Sequence, residues 1–328
     1  MLDKYFPLCI LVFLFTLTVT VFAEKRLIPY LSGKAKQPIY EGGPSWHATK
    51  SGTPTMGGIA FVSAMTAAML FSSLFLLGVG EIESAISLLI CAAYAFLNAL
   101  VGVVDDLSKL KRKENRGLSP KEKLALQTVL AVLFLVCRGI FLNEGTRLTF
   151  SFGRVEMGFL YYPLMLVMLL GITNCANLTD GVDGLATSVA FSIGVITFYL
   201  SSALYADGAV ISSAIIGGTI GFLIFNIHPA RIFMGDTGSL FFGSLIISEF
   251  FVLKNPLLAL LVSGIYVIEG ASVILQVICF KTTGRRILKM APIHHHLEKC
   301  GYGENKICII AMIVTFLLSV PAFIFYLP

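Results

Sequence analysis

Charge is what this sequence has least of. Asp, Glu, Lys and Arg make up 13% of its 328 residues, against about 25% in an ordinary soluble chain. So few charges cannot cover a water-facing surface, which argues against a soluble enzyme. The 56% hydrophobic content argues equally against a disordered chain. Metal-type cysteine spacing is missing as well. Cys9, Cys91, Cys137, Cys279 and Cys308 lie in or beside apolar runs, where cysteine acts as a small hydrophobe. Cys175 and Cys300 fall in loops with no CxxC pair, so neither a zinc site nor a disulfide framework is implied. No internal repeat of the kind common in transporters is evident. With a mean hydropathy of +0.86, the chain reads as an all-α polytopic membrane protein, one transmembrane domain over residues 1–328.

A bilayer-crossing helix needs about 20 mostly apolar residues. Ten runs approach that: 5–23, 55–79, 85–104, 124–142, 159–174, 184–205, 209–226, 239–253, 257–280 and 307–327. The first ends Val21-Phe22-Ala23, which also resembles a signal-peptide cleavage site. Cleavage there would put the following basic loop outside, against the charge bias of the other loops. The odd-numbered connections carry 19 of the 24 Lys and Arg. The positive-inside rule therefore places them in the cytoplasm and both termini outside. The longest even connection, 143–158, alternates Leu148, Phe150 and Phe152 with Thr149, Ser151 and Gly153, which predicts a small external β-hairpin.

Every polar, glycine-rich or acidic motif falls in an odd loop: 24–56, 105–123, 174–184, 226–239 and 281–306. The first contains Lys50, Thr55 and several glycines, either an anion-binding backbone or a flexible cap on the next helix. The second opens on Asp105-Asp106 and runs through Lys109 to Lys121 and Lys123. Paired carboxylates suit a hard cation or general-base work, and the basic run suits phosphates or lipid headgroups. The third holds Asn174, Asn177, Asp180 and Asp183 and no Lys or Arg. That content fits sugar, nucleoside or metal recognition, or Asx turns and a helix cap. The fourth places Asp236 between Gly235 and Gly238, with Asn226 and Phe233 upstream. The fifth carries His294, His295 and His296 in succession. Consecutive helical residues point apart, so the three cannot share one ion on a regular backbone. Glu249 and Glu269 lie inside apolar runs and either serve a site or bond a neighbouring helix.

The segments TPTMGG (53–58), DDLSK (105–109), NLTDGVDGLA (177–186), FNIHPARIFMGDTGS (225–239) and PIHHHLE (292–298) occur in that order. Together they resemble the polyprenyl-phosphate N-acetylhexosamine-1-phosphate transferases, specifically the branch whose donor is UDP-MurNAc-pentapeptide. The resemblance covers nearly the whole chain. It implies a Mg²⁺-dependent transfer of phospho-MurNAc-pentapeptide to undecaprenyl phosphate with release of UMP. It also implies ten spans, a homodimer and a place in the bacterial inner membrane. Residue by residue, Asp236 matches the Mg²⁺ ligand, with Asp105 and Asp106 as further candidates. Asp105 matches the group that deprotonates or positions the lipid phosphate, with Asp106 beside it. Asn174, Asn177, Asp180, Asp183, Asn226 and Thr55 match substrate-side positions. Phe233, Lys109 and Asp183 match positions linked to uridine. Lys50, Lys121 and His294 to His296 match phosphate-side and catalytic positions. The runner-up within the class transfers N-acetylglucosamine phosphate to the same lipid. A transporter is the rival from another class, but its binding acids should lie at the midplane and not in loops on one side.

Overall fold

Gly235 begins the helix around which the others are arranged. A computed structural model of the chain describes residues 2–33, 35, 52–112, 117–202 and 204–326. Twelve helices are present among them: α1 (Leu2–Ser32), α2 (Gly58–Gly78), α3 (Ile82–Arg112), α4 (Pro120–Phe141), α5 (Tyr161–Thr179), α6 (Leu185–Ser202), α7 (Ala206–Asn226), α8 (Gly235–Val252), α9 (Ala259–Val262), α10 (Gly264–Thr283), α11 (Ile293–Lys299) and α12 (Glu304–Tyr326). Nine of these are long and apolar enough to cross a membrane. The tenth long helix, α8, is buried at every position from Thr237 to Val252 and packs against α2, α3, α5, α6 and α7. It carries Asp236 and Glu249, and Ser212 on α7 donates a hydrogen bond to the Glu249 carboxylate. All ten predicted runs are therefore helical, with one of them enclosed by the rest.

The outer helices show what encloses them. On α12, Ile309, Ile313, Phe316, Leu317, Val320 and Ile324 are exposed at helical spacing. On α4, Val129, Leu133, Val136 and Ile140 form the same kind of stripe. Such continuous apolar faces belong in lipid. Close packing inside relies on missing side chains. A Cβ on Gly102 of α3 would sit 2.3 Å from the Asp236 carbonyl oxygen, and one on Gly58 of α2 would sit 2.5 Å from the Gly238 nitrogen. Both helices thus touch the first turn of α8 backbone to backbone, the small-residue packing common between membrane helices.

Two boundaries differ from the sequence reading. Helix α3 does not stop at 104 but continues through Asp105, Asp106 and Lys109 to Arg112. The acidic pair therefore sits on a rigid helix. The ninth run is divided into a 3₁₀ turn (Pro256–Leu258), α9 and α10, with the break at Ser263. There Gly264 crosses α12 so closely that a Cβ would lie 2.7 Å from Leu318 Cδ1. Helix α1 runs unbroken through Val21-Phe22-Ala23 and packs along α7, as an integral part of the bundle. At its start, Tyr5 and Lys4 hydrogen-bond the Glu81 carboxylate, and these contacts hold its carboxyl below the usual range.

The expected hairpin is present as β1 (Arg147–Phe150) paired antiparallel with β2 (Gly153–Glu156). It is fastened to the link after α8, where Thr149 N–H donates to the Lys254 carbonyl at 3.1 Å, and to the end of α12 through Ser151 N–H and the Phe325 carbonyl at 2.8 Å. The acidic motifs gather at the opposite end of the bundle.

Candidate active site

Helix α8 begins inside the protein, so its unpaired amides need partners. Asp106 on α3 supplies them. Its Oδ1 accepts from Asp236 N–H at 3.0 Å, and its Oδ2 accepts from Thr237 N–H at 3.0 Å and Thr237 Oγ1 at 2.7 Å. The carboxylate also meets the positive end of the helix dipole. Gly235 makes the entry possible. Its φ is +70°, and a Cβ would lie 2.6 Å from Asp106 Oδ2. Thr55 is buried beside this junction, and the segments on either side of it are hydrogen-bonded to the chain that leads into α8. Phe233 N–H donates to the Pro54 carbonyl at 2.9 Å, and Gly57 N–H to the Phe233 carbonyl at 2.8 Å.

Asp236 itself is held by cations. Lys123 Nζ lies 2.8 Å and Lys109 Nζ 3.0 Å from its Oδ2. Lys109 also reaches Asp105 Oδ2, one turn back on α3, at 2.6 Å. The other Asp105 oxygen accepts from Leu118 N–H at 2.7 Å. Asn177, near the end of α5, donates to Asp236 Oδ1 at 3.0 Å and to Ser239 at 2.7 Å, and accepts from Lys123 at 3.2 Å. Three carboxylates and two ammonium groups thus share one partly buried pocket: Asp105 and Asp236 are ion-paired with the lysines, and Asp106 is satisfied by the first turn of α8.

Lys123 is the residue that sequence reasoning passed over in favour of Lys121. Lys121 is exposed on α4, whereas Lys123 is turned inward. A signal was present: Gln127, Ala131, Phe134 and Arg138 are the buried residues of α4, and Lys123 continues their spacing by one turn. Ser119 fixes where the helix starts through a capping box with Glu122, with Pro120 at the first position.

The other candidates divide into two groups. Asn174 donates to Gln127 at 2.8 Å, linking α5 to α4 below the pocket. Asn226 is buried and braces its own loop, accepting from Thr187 at 3.1 Å and donating to the Ile232 carbonyl at 3.0 Å. Phe233 is half-buried in the segment that leads into α8, and Asp180 caps α5. Asp183 forms a separate cluster. His228 Nδ1 lies 3.0 Å from Asp183 Oδ2 and 3.2 Å from Glu304 Oε1, and Glu304 Oε2 accepts Asp183 N–H at 2.8 Å. Neither His228 nor Glu304 was singled out from the sequence. The three histidines point to three partners, as their spacing predicts: His294 toward Glu269, His295 to Glu298 at 2.6 Å, and His296 accepting from Lys289 N–H at 3.1 Å. Lys50 lies outside the described residues.

One carboxylate oxygen from each of Asp105, Asp106 and Asp236 lies within 4.8 Å of the others. That donor set is all oxygen, the chemistry a small hard cation prefers. Both Asp106 oxygens hold the start of α8, whereas one oxygen each of Asp105 and Asp236 is held by a lysine ammonium, a partner that a cation could displace.

Residues 85–253 match the family described as Glycosyl transferase family 4, and residues 50–62 match Phospho-N-acetylmuramoyl-pentapeptide-transferase signature 1. A curated phospho-N-acetylmuramoyl-pentapeptide-transferase from Halalkalibacterium halodurans is 39% identical over 303 residues, 92% of either chain. Relatives of the same name from Bacillus thuringiensis and Bacillus cereus are 39% identical over 306 residues, 92% of this chain and 93% of theirs. The chain belongs to the phospho-N-acetylmuramoyl-pentapeptide-transferase family.

Proposed function

We propose that this protein transfers phospho-MurNAc-pentapeptide from its UDP carrier to undecaprenyl phosphate, releasing UMP and forming the first lipid-linked peptidoglycan precursor. The observation that carries the reading is the Asp236 pocket, in which Lys109, Lys123 and Asn177 converge at one end of a bundle of membrane helices. A lipid-borne acceptor must react at the bilayer boundary, and its phosphate meets a second anion there. The two lysines offset that repulsion and orient the diphosphate. Lipid phosphate is already a nucleophile at neutral pH, so placement supplies most of the acceleration. Asp105, beside Lys109 at the helix end, is positioned to take a proton from the acceptor or to hold it in line. Mg²⁺ is the cofactor in this reading, held by Asp236. It would neutralise the diphosphate and stabilise the leaving UMP. Phe233 and Asp183 are the proposed uridine-side groups. We place the pocket on the cytoplasmic face of a bacterial inner membrane and the hairpin outside, from the distribution of basic residues, and take a homodimer as the assembly from the family resemblance.

The test uses the purified full chain in detergent with undecaprenyl phosphate, Mg²⁺ and either UDP-MurNAc-pentapeptide or UDP-GlcNAc. UMP is expected with the first donor. UMP with UDP-GlcNAc alone would reverse the substrate assignment. Asp236→Asn should abolish turnover while the protein still inserts and purifies. Near-normal rates for that variant at low Mg²⁺ would remove Asp236 from the metal's coordination.

A further inference from the structure

Glu269 lies in the apolar helix α10 and is 3% exposed. A carboxylate placed there carries a desolvation cost and needs a reason. Its place is fixed by the next residue. A Cβ on Gly270 would sit 2.3 Å from Cys175 Sγ, so α10 packs tightly on α5 at that level. From there the Glu269 carboxylate meets α11. Its Oε2 accepts from His294 N–H at 3.3 Å and lies 3.1 Å from His294 Nδ1, in ion-pair contact but off the line of a ring hydrogen bond.

His294 is 1% exposed, and its ring is gripped on all sides. His295 packs edge-on against it, with ring centroids 4.2 Å apart. On the far side, a Cβ on Gly181 would lie 2.3 Å from His294 Nε2. Nε2 therefore points at the Asp180-Gly181 turn, which follows Asn177, the residue that holds Asp236. Both ring nitrogens are buried without a hydrogen-bond partner; Nδ1 has the Glu269 carboxylate 3.1 Å away, whereas Nε2 has no charged group beside it. Leaving a buried imidazole nitrogen unpaired is costly, and such an atom calls for a ligand.

We propose that Glu269 is a positioning residue for His294. Its carboxylate keeps the ring proton on Nδ1 and turns Nε2 toward the Asp180-Gly181 turn, where Nε2 meets an oxygen of the donor substrate. This is the logic by which a carboxylate sets the tautomer and direction of a working imidazole. A substrate oxygen at Nε2 would satisfy the one of the two ring nitrogens that has no carboxylate beside it. The inference rests on the transferase reading for its substrate, but the orientation of His294 has a readout of its own.

The full chain is labelled with ¹⁵N-histidine in detergent, and the His294 signals are identified among the five histidines by their loss in His294→Asn. In the wild type, His294 should carry its proton on Nδ1. Glu269→Ala should shift those signals and lower kcat on the order of 10- to 100-fold, the usual effect of losing the partner that orients an imidazole, with little change in KM. Glu269→Gln retains an acceptor oxygen and should recover part of the rate. In a His294→Asn background, Glu269→Ala should cost nothing further. Unchanged His294 signals in Glu269→Ala, or a full repeat of its loss in the His294→Asn background, would overturn the proposal. If Glu269→Ala does not fold, Glu269→Gln and Gly181→Ala decide, the latter by pushing Nε2 away from the turn. If the wild type is inert toward UDP-MurNAc-pentapeptide, the transferase reading fails, while the ¹⁵N spectra still settle whether Glu269 orients His294.

Discussion

Lys123 Nζ lies 2.8 Å from Asp236 Oδ2 and 3.2 Å from Asn177 Oδ1, so one ammonium group ties α4, α5 and α8 together at the pocket. Lys121, two residues earlier, is on the outer side of the same helix. The two lysines should therefore separate in activity. Lys123→Ala removes a preorganised cation from the reacting phosphates and should lower kcat about 100-fold or more. Lys121→Ala should change the rate by less than about threefold, as suits an exposed charge. UMP release measured side by side checks this. A larger loss for Lys121→Ala would mean that α4 turns over when substrate binds.

Asp106 gives a stability prediction distinct from its neighbour. It accepts three hydrogen bonds from the first turn of α8. Asp106→Ala leaves those donors buried and unpaired, at roughly 1–3 kcal/mol for each group that water cannot reach. The detergent-solubilised variant should melt well below the wild type. Asp105→Asn should melt close to it, because the amide oxygen can still accept Leu118 N–H. Equal melting temperatures for Asp106→Ala and the wild type would mean that the clamp contributes no stability.

These residues show what pattern can and cannot reveal. The ten helices, the hairpin and the gathering of five loops at one end all follow from run length, alternation and charge placement. The division of labour between Asp105 and Asp106 does not. Adjacent letters on a helix point about 100° apart, and only the approach of α8 at Gly102 decides which of them caps it. Lys123 was legible in principle, because it continues the buried spacing of Gln127, Ala131 and Phe134. His228 and Glu304 were not. They meet Asp183 only because the loop after α7 and the start of α12 fold to the same place, a contact between segments 76 residues apart.

Sidedness is open to direct measurement. Cysteines placed at Ser108 and Ser151, with exposed Cys300 changed to serine, should react with an impermeant thiol reagent from opposite sides of the membrane. Ser108 belongs to the pocket end of α3, and Ser151 to the hairpin held against the Phe325 carbonyl. In intact cells Ser151→Cys should label and Ser108→Cys should not. Labelling of both from outside would invert the proposed cytoplasmic placement of the pocket.

The last prediction asks what Asp105 does. Its carboxylate is buried and bound by Leu118 N–H and by Lys109, one turn on, whose ammonium also reaches Asp236. If it accepts the proton of the lipid monophosphate, alkali should replace part of its work. The second ionisation of a phosphate monoester lies near pH 6, so between about pH 8 and 9 the acceptor is already a dianion. Asp105→Asn should then lose less activity at high pH than at pH 6, and the wild-type to mutant rate ratio should fall as pH rises. A residue that acts by holding the metal would show no such recovery, because alkali does not restore a missing charge. The measurement is that ratio across pH 6 to 9 with Mg²⁺ saturating, in single-turnover format so that chemistry and not product release is compared. A flat ratio would make Asp105 a holder of substrate or metal, with Lys109 as the group through which it acts.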